Sequence, residues 1–273
     1  MRADEPYAGP PRPFGVLFQI AYLGTHFRGW ASQREGRTVH AEVAAAVHAV
    51  DPRAGVPRGA SRTDAGVHAE CQIAAVDATL DIPPRGWVLA MNQHLPDDVC
   101  VRRAYRMAPG LHPSAIVRSK RYAYRVLLDR VRDPLWKDRA WRIGWPLDLA
   151  RAEREAALLI GTHDFAAFRS SHDARTDTVR SLTRVELARS APGDHPELVT
   201  IFVEGNAFLY NMVRITVGTL MDVARGKLEE GAVTRALASK DRKNLGTTAP
   251  AHGLCLEHMT LELPHDASAP WPP

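Results

Sequence analysis

RGASRTDAGVHAECQIAAVD, residues Arg58–Asp77, is a loop punctuated by Gly and Asp that hands directly to a mostly apolar run, Cys71 to Asp77. The run predicts a strand. Upstream, Gly15 to Tyr22 alternates Val16, Phe18, Ile20 and Tyr22 and predicts another strand, followed by the Gly-punctuated loop GTHFRGW. Between the two, Thr38 is placed to cap a helix with Val39, Val43, Ala46, Val47 and Val50 on one face. Downstream, Val99 to Tyr105 and Arg121 to Leu128 have strand character. Asp148 caps a second helix carrying Leu149, Ala152, Ala156 and Leu159, with Gly161 placed to end it. Strands around Leu182 to Leu187 and Leu198 to Val203 precede a third helix, with Val213, Val217, Leu220, Met221 and Ala224 on one face and Gly226 as its stop. A short helix near residues 230–239 and a strand from Leu254 to Leu263 close the order.

Several strand-to-strand connections are short, which argues against a doubly wound parallel sheet and for a mainly antiparallel α+β fold. Each half supplies strands and a long covering helix, so two similar halves are expected to form a central sheet with helices on one side and a cleft between them. The expected divisions are a Pro-rich tail over 1–13, an N-terminal half over 14–130, a C-terminal half over 131–263 and a second Pro-rich tail over 264–273.

With 273 residues, 45% hydrophobic and 24% charged, the chain has the composition of a globular protein, not of a disordered or fibrous one. The formal charge is only +4, but the pI of about 9.1 permits an acidic polymer as partner. Arg102, Arg103, Arg106, Arg118, Arg121, Arg125, Arg130 and Arg132 recur at a density suited to phosphates. Cys71, Cys100 and Cys255 form no CxxC pair, which fits a reducing cytoplasm. An apolar signal core and a membrane-length apolar run are both absent from the sequence, so a protein of the cytoplasm is expected. No Walker loop, GxGxxG, HExxH or GxSxG pattern occurs. His163 and His172 lack partners at ligand spacing, so no metal site is expected.

Arg62-Thr63-Asp64-Ala65-Gly66-Val67-His68 sets a carboxylate between a guanidinium and a Gly turn, just before a strand. By pattern alone Asp64 reads as a turn-capping residue. RTDAGVHA, however, resembles the catalytic loop of the TruA-type tRNA pseudouridine synthases. The resemblance continues through Arg28-Gly29-Trp30, Asn92 with Leu95-Pro96, Lys120-Arg121-Tyr122-Ala123-Tyr124, Asp164-Phe165 with Phe168-Arg169, and Arg175-Thr176 with Arg180. It extends to Asn206-Ala207-Phe208 with Met212-Val213-Arg214 and Val217-Gly218, and to Gly253-Leu254. The ordered blocks span nearly the whole expected body.

The resemblance implies an enzyme that isomerises uridine to pseudouridine in the anticodon stem-loop of tRNA, as a homodimer, without cofactor. It assigns the nucleophile to Asp64, a charge-holding partner to Arg214, the active-site tyrosine to Tyr122 and a pocket-closing aliphatic side chain to Leu254. Arg62 is the candidate to occupy the gap left by a flipped uridine, and Arg28, Arg169 and Arg175 are candidate phosphate contacts. The bland alternatives are a second partner for Asp64 (Arg62), a surface arginine (Arg214), core packing (Tyr122) and plain burial (Leu254).

The sequence departs from the family at Ser61, at Ala31 and over Leu111-His112-Pro113-Ser114-Ala115, where an arginine is missing. These departures motivate two rivals: a non-catalytic RNA-binding or RNA-folding protein of the same fold, and a synthase acting on a different RNA.

Overall fold

The structure is a computed structural model that describes residues 11–170, 173, 175–190 and 195–272. Residues 1–10 of the expected N-terminal tail and His172 lie outside the described residues. The chain divides into two compact units. The first takes the chain up to Thr63, Ala69–Val117 and the chain from Leu261; the second takes Asp64–His68 and Arg118–Thr260.

The first unit contains β1 (Phe14–Tyr22), α1 (Val39–Val50), β2 (Arg58–Gly59), β3 (His68–Ala78), α2 (Pro84–His94) and β4 (Val99–Met107). β1 pairs antiparallel with both β3 and β4, with Phe18 opposite Ala74 on one side and Ala104 on the other. Leu17 and Ala21 are buried along with Val16, Phe18, Ile20 and Tyr22, so both faces of the strand are covered. Thr38 Oγ1 accepts from the Ala41 N–H and begins α1 as expected, with Val39, Val43, Ala46 and Val47 buried. α2 is an addition to the expected elements. Pro84 opens it, Trp87, Val88 and Met91 are buried, and the Trp87 ring meets Phe18 edge-on at 5.7 Å.

The second unit contains β5 (Val117–Leu127), β6 (Trp141–Arg142), α3 (Leu149–Ala157), β7 (Gly161–Asp164), β8 (Val179–Arg189), β9 (Leu198–Gly205), α4 (Met212–Ala224), α5 (Ala232–Ser239) and β10 (Leu254–Leu261). Its strand order is β10-β5-β9-β8-β7, antiparallel from β5 through β7, with β6 parallel to β5. The α+β class and the antiparallel pairing are as expected. Asp148 Oδ1 accepts from the N–H groups of Ala150 and Arg151 and caps α3, but α3 ends at Ala157 and Gly161, at φ +115°, opens β7 instead of closing the helix.

α4 departs further from expectation. Every residue in it except Arg214 is buried, including Thr216, Thr219 and Asp222, so the helix has no polar side. Residues 245–249 form a strap over it. Thr219 Oγ1 accepts from Gly246 N–H at 3.0 Å, and Asp222 Oδ2 accepts from Thr247 N–H at 2.9 Å. Gly218 lets the strap come this close, since a Cβ there would lie 1.7 Å from the Thr247 carbonyl oxygen. Alanine favours a helix over glycine by about 1 kcal/mol. The clash with backbone outweighs that gain, so Gly218→Ala is expected to destabilise the protein by about 2 kcal/mol. A lower urea midpoint is the expected reading; an unchanged or higher one would mean that the strap moves aside freely.

Candidate active site

The turn that presents Asp64 is closed by the Val67 N–H, which donates to the Asp64 carbonyl at 3.2 Å, with Gly66 at φ +79°. A positive φ at the third turn position is where glycine is needed. Just before the turn, Thr63 is fixed within the first unit: its carbonyl accepts from Trp30 N–H at 3.1 Å, and its hydroxyl shares a 2.7 Å hydrogen bond with the Tyr22 hydroxyl. Thr63 is thus held by both backbone and side chain.

Arg214 meets that carboxylate. Its Nη1 lies 3.4 Å from Asp64 Oδ2 and donates to Asn211 Oδ1 at 2.8 Å, while its Nε donates to the Ala249 carbonyl at 2.8 Å. Both side chains of the ion pair are about one-fifth exposed, at 19% for Arg214 and 20% for Asp64. Burial pushes the Asp64 carboxyl above its ordinary pKa, and the charge and hydrogen bond of Arg214 oppose that rise without cancelling it. Asn211 stands in the left-handed region at φ 62°, at the start of α4.

Tyr122 and Leu254 are both buried in the second unit. The Tyr122 ring meets Phe208 edge-on at 5.1 Å, and on the ladder Tyr122 faces Val203 of β9. Tyr124, one strand repeat away, donates from its hydroxyl to the Pro250 carbonyl at 2.8 Å. Gly253, just before Leu254, lies flat against the Tyr124 ring, where a Cβ would come within 2.6 Å of it. His68 Nε2 donates to the His252 carbonyl at 3.0 Å, and burial lowers the pKa of both imidazoles. The segment from Ala249 to Leu254 thus touches Arg214, β5 and the Asp64 loop in turn.

The remaining arginines fall into two groups. Arg28 and Arg62 are in the first unit and exposed, and their side chains make no hydrogen bond or ion pair among the described residues. Arg169 and Arg175 are in the second. Arg169 Nη1 donates to the Arg175 carbonyl; Arg175 Nη1 donates to the Phe208 carbonyl at 2.9 Å, and its Nε lies 3.1 Å from Asp173 Oδ1. Sequence reasoning did not single out Asn211, Ala249 or Lys120. Lys120, two residues before Tyr122 on the same strand face, has its pKa pushed down to about 8 by burial and by the charge of Arg175. Its place in the Lys-Arg-Tyr-Ala-Tyr block was the available signal. Among the described residues no group of three or more His, Cys, Asp or Glu is placed to hold a metal ion, and no helix is long and apolar enough to cross a membrane.

Residues 156–261 match a family model described as tRNA pseudouridine synthase. The chain is 41% identical over 247 residues to the tRNA pseudouridine synthase A of Shouchella clausii (strain KSM-K16), covering 90% of this chain and 93% of that protein. The chain belongs to the tRNA pseudouridine synthase A family. Similar relatives are the synthases A of Thermoanaerobacter sp. (strain X514), 37% identical over 88% of this chain and 97% of that one, and of Staphylococcus aureus (strain MRSA252), 38% identical over 90% and 92%. Arg169, Arg175, Arg214 and Leu254 lie inside the stretch matched by the tRNA pseudouridine synthase model; Asp64 and Tyr122 precede it.

In this synthase-family chain the state of Asp64 is open to direct measurement. Replacing Arg214 by Gln removes both influences that lower the Asp64 pKa, so the carboxyl should titrate at still higher pH. Carbon-13 NMR of the labelled carboxyl reads this, and an unshifted titration in Arg214→Gln would show that the pair does not couple. The linkage has a definite sign. A folded-state pKa above the unfolded one gives stability that is fully present below the unfolded pKa and is lost as pH rises through the folded one. Asp64→Asn should therefore be more stable than the parent at neutral pH in urea denaturation.

Proposed function

We propose that the protein isomerises uridine to pseudouridine in the anticodon stem-loop of tRNA, with Asp64 as nucleophile. The observation that carries this reading is the Asp64–Arg214 pair: a carboxylate largely withdrawn from water and opposed by a fixed guanidinium, at the head of the RTDAGVH loop. The names of the relatives support tRNA as substrate.

The reaction breaks the bond from C1′ to N1 of uracil, turns the base and joins C1′ to C5. The hydrogen on C5 is lost as a proton and N1 becomes protonated, so atoms balance with no redox change and no donor group. No cofactor is needed. The step needs an ionised carboxylate beside the sugar and base, and Arg214 favours that ionised form. Tyr122 packs against the uracil and Leu254 closes the pocket over it. A stacked uridine must first be turned out of the RNA, and the exposed Arg62 fills the gap with its planar guanidinium. Arg28, Arg169 and Arg175 contact phosphates, which position the RNA without reading its sequence. The working form is a homodimer in the cytoplasm.

The test is conversion of uridine in an unmodified tRNA transcript, mapped by position, for the wild type beside Asp64→Ala checked for fold and RNA affinity. Product in the anticodon arm is expected from the wild type, with a loss of about 10³-fold or more in the variant. Wild-type protein that binds tRNA yet leaves every uridine unchanged would sink the proposal.

A further inference from the structure

One exposed aromatic ring stands beside the site without a part in the chemistry above. Tyr210 is 41% exposed, yet its backbone is fixed on both sides: its N–H donates to Asp173 Oδ2 at 2.8 Å, and its carbonyl accepts from Ser170 N–H at 3.0 Å. The next residue is Asn211, whose left-handed backbone starts α4 and whose Oδ1 accepts from the guanidinium that meets Asp64. Tyr210 is thus tied through a short rigid path to the reacting carboxylate.

Its surroundings carry both charges: Asp173, which holds the Tyr210 N–H, also pairs with Arg175. Arg175 is bonded to the Phe208 carbonyl and to Asp173, and Arg169 is bonded to the Arg175 carbonyl. Phe208 in turn packs on Tyr122. The ring stays 41% exposed on a turn whose backbone is bonded on both sides. An exposed aromatic ring on a turn that also carries guanidinium groups is what single-stranded RNA uses, because every base has a π-face and each nucleotide carries a phosphate. A protein partner can also use an exposed tyrosine, but Arg169 and Arg175 outnumber Asp173 on this turn and favour a polyanion.

We propose that the Tyr210 ring is a stacking platform for an RNA base neighbouring the reacting uridine, with Arg175 on the adjacent phosphate. The inference rests on RNA being the substrate. It adds a binding residue to that reading and leaves the nucleophile unchanged.

The test pairs protein and RNA changes. Asp64→Ala protein, which holds substrate without turning it over, is titrated with an anticodon stem-loop RNA in which loop nucleotides are made abasic one at a time. With Tyr210 present, one abasic position should weaken binding about tenfold. In Asp64→Ala with Tyr210→Ala, the intact RNA should lose about the same factor and that abasic position nothing more. Tyr210→Phe, which keeps the ring, should restore the wild-type pattern. Penalties that add at every position overturn the platform while leaving RNA binding intact. A changed molecular mass in Tyr210→Ala, with additive penalties, makes the ring a protein contact and overturns it too. If the protein with Tyr210 intact binds no stem-loop RNA, the proposed function falls, and this inference with it.

Discussion

A carboxylate placed largely out of water either finds a fixed partner or loses its charge, and Asp64 answers this constraint with one guanidinium at 3.4 Å. Asp51, in the same chain, shows the other solution. It is almost fully buried, and its oxygens accept from the backbone of Thr79, Leu80 and Arg53 and from the Thr79 hydroxyl. Burial alone would raise its pKa, but those four donors together bring it below the ordinary value. Asp51 is therefore a stable anion tying the end of α1 to the end of β3. Among the described residues Asp64 has Arg214 as its cation, and burial still outweighs it and raises the pKa, so its ionised form is poorly satisfied. The second state is the one suited to attack on a substrate.

Such an arrangement is only as good as the placement of the cation, and a free arginine side chain is long and mobile. Two fixed acceptors remove that freedom: Asn211 Oδ1 on Nη1 and the Ala249 carbonyl on Nε. Ala249 belongs to the strap whose preceding residues are pinned on α4 through Thr219 and Asp222, with Gly218 giving the room. The same chain then passes under Tyr124 at Pro250 and Gly253 and accepts from His68 at His252. Packing of α4 and aim of Arg214 are one physical problem. Gly218, four residues along the helix, lies against Thr247, two residues before the Ala249 carbonyl that holds Arg214.

Much of this was legible in the sequence where a residue acts on its near neighbours. Thr38 and Asp148 cap their helices because a cap bonds to an N–H two or three residues on. Strand ends were underestimated where they are polar, as at His68 to Glu70 in β3 and Val117 to Lys120 in β5, since alternation fades before the ladder stops. α2 was missed, although Pro84 at its first turn is a favourable helix start. The buried circumference of α4 was unreadable for a different reason. Thr219 and Asp222 look solvent-facing until backbone about 25 residues later satisfies them. In the site, Asp64 announced itself by motif, whereas the Ala249 carbonyl that orients Arg214 carries no residue-specific signature.

Tyr122 and Tyr124 lie on the same face of β5 and pack against different neighbours. The Tyr124 hydroxyl is committed to the Pro250 carbonyl, its ring is clamped by Gly253 and Trp141, and burial pushes its pKa far up. A tyrosine so held fixes the segment that leads to Leu254 and cannot turn toward a ligand without unmaking it. Tyr122 packs edge-on against Phe208, whose carbonyl holds Arg175. A ring in that position joins the strand to the arginine-bearing turn rather than to the strap. Within the second unit the Tyr124 hydroxyl holds the end of the strap at Pro250, and the chemistry proposed for Asp64 depends on Arg214 being aimed by Asn211 and by the Ala249 carbonyl of that strap.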